Sequence, residues 1–506
     1  MPTPDNQRRD PENDRDHINV NPARSALTLI IANSISAISS FTLLIVLAHQ
    51  LPQADLGSLQ WLLLLSTTLC NIGSLGLSQT YALFIPRLEP SDAQRYLSTT
   101  LAMLAVSGII LSTIVALIGH FEPAGLLKGI SDAALWSVCL LPTLLIFVNA
   151  IPLALIAYNR TMQAGLLVIT ISLLNLLLGS CTSLFTHSAT MTIQIITIGY
   201  FFATLFGIAL LLQGGLLRHR PRVNYRTTRK YLGHSMPLWW TYIIGDLNRR
   251  IDGFLVAAFF APTVFATFSI GAREIPLVGV IAYSITQAIL PRISGLSHNS
   301  DYPSLLLTWH TSIEKTALFL FPVFAFLAAS AQDLVILVFS PTFAAAATVF
   351  IIYLLLLPIR LTSYGAILTA LGKTSAVFYG ATLGIAVNLP LSVFLLKTAG
   401  WTGPAIATVI SQVVMVAFYL TVIRNTIKTT WHNLLPYRRL LLVALATAPP
   451  TLIGLFTLHA IENRPISVLC AAVAFSLLYF AITWKLGLIS RGDLQALWPR
   501  GMAQKD

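Results

Sequence analysis

The sequence predicts an all-α membrane protein that crosses the bilayer many times. The chain has 506 residues, of which 56% are hydrophobic and only 10% are charged, and its mean hydropathy is +0.76. A soluble domain carries roughly 25% charged residues. Apolar runs of about 20 residues, the length that spans a bilayer as a helix, recur along nearly the whole chain. These two observations exclude a soluble globular fold.

Apolar runs bounded by charges, prolines or glycines predict about 14 transmembrane helices. The first seven cover residues 25–49, 57–78, 98–119, 134–157, 164–186, 191–214 and 236–260. The second seven cover residues 264–291, 316–338, 344–370, 375–396, 404–423, 440–460 and 466–484. Because this number is even, both termini are predicted on the same side of the membrane.

The basic residues indicate which side that is. Of 31 Lys and Arg residues, 24 fall in segments that are cytoplasmic if both termini are, and only Lys128, Lys397 and Arg464 fall in outer segments. Basic segments are retained in the cytoplasm, so we predict cytoplasmic termini. The formal net charge of +12 then reflects topology, and nucleic acid is not an expected partner.

This topology divides the chain into two lobes. Residues 25–214 (helices 1–6) and 236–423 (helices 7–12) are predicted as six-helix lobes, joined by a basic cytoplasmic linker, 215–235. Helices 13 and 14 occupy 424–484, between a disordered tail, 1–24, and a cytoplasmic tail, 485–506. A short repeated motif favours related lobes: span two ends in FIPRL (84–88) and span eight ends in ILPRI (289–293).

The outer loops are short, so the chain lacks the large catalytic loop expected of a membrane enzyme of polysaccharide assembly. The four cysteines lie in apolar runs without CxxC spacing, which gives no reason to expect a metal site. Gly372 to Thr374 resemble the end of a phosphate-binding loop, but Ile367 stands where that motif requires glycine. We therefore expect a transporter with no cofactor.

Seven ionisable residues are predicted at membrane depth, where each charge costs roughly 2.5 to 3.5 kcal/mol. They are Asp246, Arg249, Arg250 and Asp252 of span seven, Arg273 and Glu274 of span eight, and Arg360 of span ten. Helical spacing places Asp246 near both arginines of its span, and Arg249 near Asp252. Two interpretations remain open, namely structural charge pairs or a cavity for an anionic head group.

Arginine suits a phosphate ligand, because its planar guanidinium donates two parallel hydrogen bonds and stays charged. The candidate substrate ligands are Arg249, Arg250, Arg273 and Arg360. The acids Asp246, Asp252 and Glu274 are candidates for charge pairing or for proton or sodium coupling. Small polar residues of spans one and two, such as Thr67 and Asn71, are expected at packing positions.

Three stretches carry a resemblance to a known family. They are residues 51–77, with LPQADLGSLQW and NIGSLGL; residues 248–296, with NRRIDGFLV, AREIP and ILPRISGL; and residues 333–412, with LVFSPTFAAAA, LTALGK and AGWTGPAIATVISQ. On these motifs the chain resembles the polysaccharide flippases, which move lipid-linked oligosaccharides. They belong to the multidrug/oligosaccharidyl-lipid/polysaccharide exporter superfamily, and the resemblance covers about residues 25–423.

The resemblance implies a V-shaped pair of lobes with alternating access around a central, often cationic cavity. The substrate-contacting arginine of the family's helix eight corresponds to Arg273, whereas the doublet Arg249–Arg250 departs from the single base expected beside the helix-seven aspartate. It also implies flipping of polyprenyl-diphosphate-linked oligosaccharides in the bacterial cytoplasmic (inner) membrane, for exopolysaccharide, capsule or O-antigen. Implied partners are membrane lipids, a polysaccharide polymerase and a chain-length regulator.

Three alternatives stay open at this point. A multidrug or organic-cation exporter of the same superfamily would have about 12 helices and an acidic cavity. A membrane enzyme of polysaccharide assembly would need the missing outer loop. A scaffold without transport would leave the charges at membrane depth unexplained.

Overall fold

The computed structural model describes residues 22–121, 132–221, 225–273 and 278–488. Every regular element in these ranges is an α-helix or a short 3-10 turn, which confirms the all-α prediction. The first seven helices are α1 (Pro22–Gln50), α2 (Gln53–Gly73), α3 (Tyr81–Phe84), α4 (Pro90–Phe121), α5 (Asp132–Ala157), α6 (Thr161–Thr186) and α7 (Ala189–Gln213).

Thirteen further helices follow along the chain. The next seven are α8 (Tyr225–Phe259), α9 (Pro262–Gly271), α10 (Val278–His298), α11 (Tyr302–Ala329), α12 (Ala331–Val338), α13 (Ala346–Leu354) and α14 (Leu356–Ile359). The last six are α15 (Tyr364–Ala370), α16 (Thr374–Thr398), α17 (Gly403–Ile427), α18 (Trp431–Leu434), α19 (Tyr437–Ala460) and α20 (Arg464–Lys485).

Twelve segments of the described chain are long and apolar enough to cross a membrane. Predicted spans seven and eight are not among them. Span seven exists as the long helix α8, which carries several charged residues. Span eight, predicted as one helix over 264–291, does not continue as a helix past Gly271, where α9 ends, and α10 begins at Val278. The predicted total of 14 is therefore approximate.

Several helix boundaries differ from the hydropathy prediction. Helix α8 begins at Tyr225, inside the predicted linker 215–235, and α11 begins at Tyr302 rather than near 316. The Asp301 side chain caps α11 by accepting a hydrogen bond from the Ser304 backbone amide at 3.2 Å. Hydropathy misses such starts because the first turns of these helices are polar.

Predicted span ten, 344–370, is also not a continuous helix. It consists of α13, α14 and α15, and residues 360–363 between the last two are not helical. Pro358 lies within α14 and lacks the backbone N–H of a helix interior. The break therefore begins two residues after the proline, at Arg360.

The repeated motifs FIPRL and ILPRI adopt different local structures. Pro86 lies in a 3-10 turn, Ile85–Arg87. Pro291 instead lies inside α10, which continues to His298. The two motifs thus differ in backbone conformation, and the predicted relation between the lobes stays a prediction.

Helix packing separates two groups and a terminal pair. Helix α1 lies along α6, and α5 contacts α4, α6 and α7. The second group centres on α16 and α17, which pack together and against α8, while α19 packs on α20 and α11. Each group has a buried apolar core, with Leu97 and Leu141 in the first and Trp309 and Ile367 in the second. This packing agrees with two lobes followed by two helices.

Helix α2 connects the two groups at both of its ends. At its start, a Cβ atom on Gly57 would lie 1.9 Å from the backbone oxygen of Pro262, at the start of α9. Gln53 Nε2 donates to Thr267 Oγ1 at 2.7 Å in the same region. Just after α2, Gly76 has a positive φ of 66° and would meet the Ser235 backbone oxygen at 2.8 Å. Close backbone approach at both ends thus requires glycine.

Candidate functional site

A cavity of about 1180 Å³ lies between the two helix groups. Its lining comes from α1, α2, α5, α6 and α7 on one side and from α8, α9, α13, α14, α16 and α17 on the other. The charged residues of the lining are Arg249, Arg250, Asp252, Arg273 and Arg360. All four arginines predicted from the sequence thus reach one cavity.

Asp246 organises the first charged cluster on α8. Its buried carboxylate lies 2.9 Å from Arg250 Nε and 3.3 Å from an Arg249 guanidinium nitrogen. Asn71 of α2 donates to the same carboxylate at 2.8 Å, and Arg250 donates to Thr67 Oγ1 at 2.9 Å. The cluster therefore joins α8 to α2, and it includes two residues that the sequence interpretation had assigned to packing.

The two arginines of this cluster differ in accessibility. The Arg250 side chain is 29% exposed, whereas that of Arg249 is 58% exposed and makes one longer contact with Asp246. Arg250 is therefore anchored between the carboxylate and Thr67. Arg249 keeps most of its donors directed to the cavity, where a ligand can accept from them.

Arg273 and Arg360 both follow the end of a helix, where a predicted span is interrupted. Arg273 follows the last residues of α9 and is exposed to the cavity; among the described residues it has no hydrogen-bond or ion-pair partner for its side chain. Arg360 is the C-cap residue of α14. Glu274, predicted beside Arg273, lies outside the described residues. Non-helical backbone at membrane depth is tolerated where it is buried in protein or lines a cavity.

Asp252 lies in a second cluster, made by the C-terminal group. It is buried, and it accepts hydrogen bonds from the Tyr353 hydroxyl, from Thr408 Oγ1 at 3.3 Å and from the Gly253 amide at 2.7 Å. Asn388 Nδ2 lies 3.4 Å from Thr408 Oγ1 and extends the network. The ion pair between Arg249 and Asp252 that helical spacing predicted is not found. The Asp252 carboxylate instead accepts hydrogen bonds from two hydroxyl groups and a backbone amide.

Sequence reasoning missed the uncharged members of both clusters. Each of them bonds to a helix that is distant in the sequence: Asn71, Thr67, Tyr353, Thr408 and, through Asn248, Asn388. The available signal was an amide or hydroxyl inside an otherwise apolar span. That signal alone does not separate packing positions from site residues.

Known protein families and structures resemble this chain. The sequence profile of one family, described as polysaccharide biosynthesis protein, matches residues 46–348, more than half of the chain. The chain belongs to this family. Comparison with curated proteins finds no sequence match.

Solved structures of three transporters share the fold. The lipid II flippase MurJ, in an inward closed conformation, is similar with a TM-score of 0.74 at 17% identity, over 90% of this chain and 98% of that one. An inward-facing multidrug resistance MATE family transporter has a TM-score of 0.59 at 14% identity, over 80% and 98%. A MOP superfamily transporter from Pyrococcus furiosus has a TM-score of 0.56 at 15% identity, over 81% and 97%.

These similarities show the fold of this multi-pass membrane protein, which it shares with transporters of the MOP superfamily. The predicted membership of a polysaccharide biosynthesis family is confirmed, and so is the predicted fold. At these identities, the roles of individual residues rest on the geometry of this family member alone.

Proposed function

We propose that the protein is a flippase that carries polyprenyl-diphosphate-linked oligosaccharide repeat units across the bacterial cytoplasmic membrane. The products would serve exopolysaccharide, capsule or O-antigen synthesis. The observation that carries the proposal is the convergence of four arginines on one cavity within a membrane-spanning fold. Membership of a polysaccharide biosynthesis family supports the pathway, and the likeness to a lipid II flippase supports a lipid-linked substrate.

Charge favours an anionic head group. The described lining holds four arginines and one carboxylate, Asp252, and the buried Asp246 pairs with Arg249 and Arg250, so the formal charge of these groups sums to two positive charges. A diphosphate offers adjacent oxygens that match the guanidinium fork, with Arg249 and Arg273 as the accessible donors. An exporter of organic cations fits less well, because its substrate would meet like charge.

The topology that we propose is cytoplasmic termini with residues 25–214 and 236–423 as the two lobes. The diphosphate and sugars would occupy the cavity while the polyprenyl chain stays in the bilayer. The lobes would rock about the midplane site and expose the head group on alternate sides. No covalent step is needed, so the chain acts as a transporter and not as an enzyme.

Arg273→Ala is expected to slow flipping by about tenfold or more, because a hydrogen bond to a charged group contributes roughly 1.5 to 3 kcal/mol. The measurement is the rate at which a fluorescent polyprenyl-diphosphate oligosaccharide becomes accessible on the opposite leaflet of proteoliposomes. Arg273 suits this test because, among the described residues, its side chain holds no ion pair whose loss would disturb the fold.

Arg438→Ala is the matched control, because Arg438 is an exposed residue of α19 outside the cavity lining. It should flip lipid at the wild-type rate. Equal rates for wild type, Arg273→Ala and protein-free vesicles would refute the flippase proposal.

We further propose that Asp252 couples transport to a proton or sodium gradient. Its carboxylate is surrounded by hydroxyl and amide groups from α13, α16 and α17. Oxygen atoms are the ligands that hard cations prefer, and the same carboxylate can take up a proton instead. Movement of the cation or proton would change the contacts between α8 and the helices around it.

Asp252→Asn is expected to abolish the response of the flipping rate to an imposed ion gradient. Flipping of the lipid without a gradient should continue. Proteoliposomes with a proton gradient and, separately, a sodium gradient distinguish the two ions. Asp92→Asn provides the same substitution at an exposed carboxylate paired with Arg95 at 3.3 Å, and it should respond like wild type. A normal gradient response in Asp252→Asn would exclude this residue as the coupling site.

A further inference from the structure

The cavity wall is chemically divided. Its charged residues all come from α8 and from the positions that follow α9 and α14. Among the described residues, the wall formed by α1, α5, α6 and α7 contributes no charged side chain. It offers instead three amides, Asn33, Asn149 and Asn175. We call these three residues the amide face.

The amide face belongs to one continuous wall. Helix α1, with Asn33, lies along α6, with Asn175, and α5, with Asn149, contacts α6 and α7. Ser36 and Ser172 line the cavity on α1 and α6 as well. The wall therefore presents hydrogen-bonding groups from three packed helices of the first helix group.

The amides of this wall keep unused hydrogen-bonding capacity. Asn175 is only 9% exposed, and its side chain interacts with the Tyr200 hydroxyl of α7, but its side-chain oxygen has no hydrogen-bond partner among the described residues. Asn149 Nδ2 donates only to the Cys70 sulfur, a weak acceptor, at 3.4 Å. The Asn33 side chain has no partner among the described residues and is exposed to the cavity. The Asn33 amide and the side-chain oxygens of Asn149 and Asn175 thus make no hydrogen bond to the described residues, so they can bind a ligand.

Sugar hydroxyl groups match this chemistry, because each one both donates and accepts, as an amide side chain does. On α1, α5, α6 and α7 the described residues offer a sugar carboxylate no charged hydrogen-bond donor, so it would lose part of its solvation without gaining an ion pair there. The arginines of α8 and of the position after α9 suit the diphosphate. The two sets of residues thus match the two chemical parts of one substrate.

We propose that the amide face binds the sugar next to the diphosphate and selects a neutral sugar over a uronic acid. This inference rests on the proposed flippase function and specifies its substrate class. The diphosphate lies against Arg249 and Arg273, and the first sugar lies against Asn33, Asn149 and Asn175.

The test measures binding of three soluble probes to the purified full-length protein in nanodiscs. The probes are a short-chain prenyl diphosphate, the same lipid carrying N-acetylglucosamine, and the same lipid carrying glucuronic acid. Wild type should bind the neutral glycolipid about tenfold more tightly than the bare diphosphate, as a few net hydrogen bonds allow. The uronic acid probe should gain nothing over the bare diphosphate.

Asn33→Leu/Asn175→Leu should lose the tenfold gain for the neutral sugar while keeping wild-type affinity for the bare diphosphate. That retained affinity also shows that the variant is folded. Asn33→Gln/Asn175→Gln retains the amides and should restore part of the gain. Arg273→Ala should weaken all three probes by a similar factor.

The outcomes separate the two proposals. If the bare diphosphate binds through Arg273 but wild type binds the neutral and uronic acid probes equally, the amide face does not select the sugar. The same conclusion follows if Asn33→Leu/Asn175→Leu keeps the full gain. If no probe binds and Arg273→Ala changes nothing, the flippase proposal itself fails, and this inference fails with it.

Discussion

Asp246→Ala is expected to destabilise the protein by about 1.5 to 3 kcal/mol, the contribution of hydrogen bonds to a charged group. Asp246 accepts bonds from Arg249, Arg250 and Asn71, and it is only 3% exposed. Its removal leaves Arg250 held by Thr67 alone and breaks a connection between α8 and α2. The free energy of unfolding in mixed micelles measures the effect.

A double-mutant cycle shows whether the charges act as a pair. Asp246→Ala/Arg250→Leu should recover part of the stability lost in Asp246→Ala, because the unpaired base is removed together with the acid. Asp92→Ala, at an exposed carboxylate, should change stability little. If the effects of Asp246→Ala and Arg250→Leu simply add, the cluster is not a coupled unit.

Gly57→Ala is expected to hold the cavity open at the end where α2 meets α9, and to reduce flipping by at least about tenfold. The new Cβ would lie 1.9 Å from the oxygen and 2.6 Å from the carbonyl carbon of Pro262. These are backbone atoms, so no side-chain rotation can relieve the overlap. In the proposed topology this end faces outward, and alternating access requires that it close.

Accessibility of the cavity gives the measurement. Ser40→Cys, in a background without the four native cysteines, places a thiol on the cavity wall. Gly57→Ala should increase its labelling by a membrane-impermeant reagent added from outside. Gly295→Ala is the control, because nothing lies within 4 Å of a Cβ at that position in α10. Unchanged labelling with normal flipping would mean that the α2–α9 contact does not close the cavity.

Sequence patterns were sufficient for the fold class and for the positions of the cavity arginines. Apolar runs indicate membrane helices directly, because a helix that spans the bilayer must have about 20 residues and mostly apolar side chains. Charges inside such runs are costly, and Arg249, Arg250, Arg273 and Arg360 all line the cavity as expected. The pairing of Asp246 with its neighbours follows from helical spacing, since both partners lie on the same helix.

Other features depend on contacts that no local pattern contains. Asp252 bonds to Tyr353 and Thr408, which are distant in the sequence, rather than to nearby Arg249. Asn71 and Thr67 of α2 look like packing residues until α8 is placed beside them. The interruptions of spans eight and ten are short and lie between apolar segments, so a hydropathy window of about 20 residues predicts a single helix for each span.

The interruption at residues 360–363 also bears on the energetics of lipid transfer. Its backbone amides and carbonyls lack the full set of helical bonds, and at membrane depth such groups need water or protein partners. The Ser363 amide has such a partner in Thr286 Oγ1 at 3.2 Å, and Arg360 lines the cavity next to this segment, where its charge favours a hydrated interior even when no lipid is bound. A head group would then exchange one aqueous surrounding for another and never enter hydrocarbon. The barrier to transfer would come from reorganising water and ion contacts, not from inserting sugars into the bilayer.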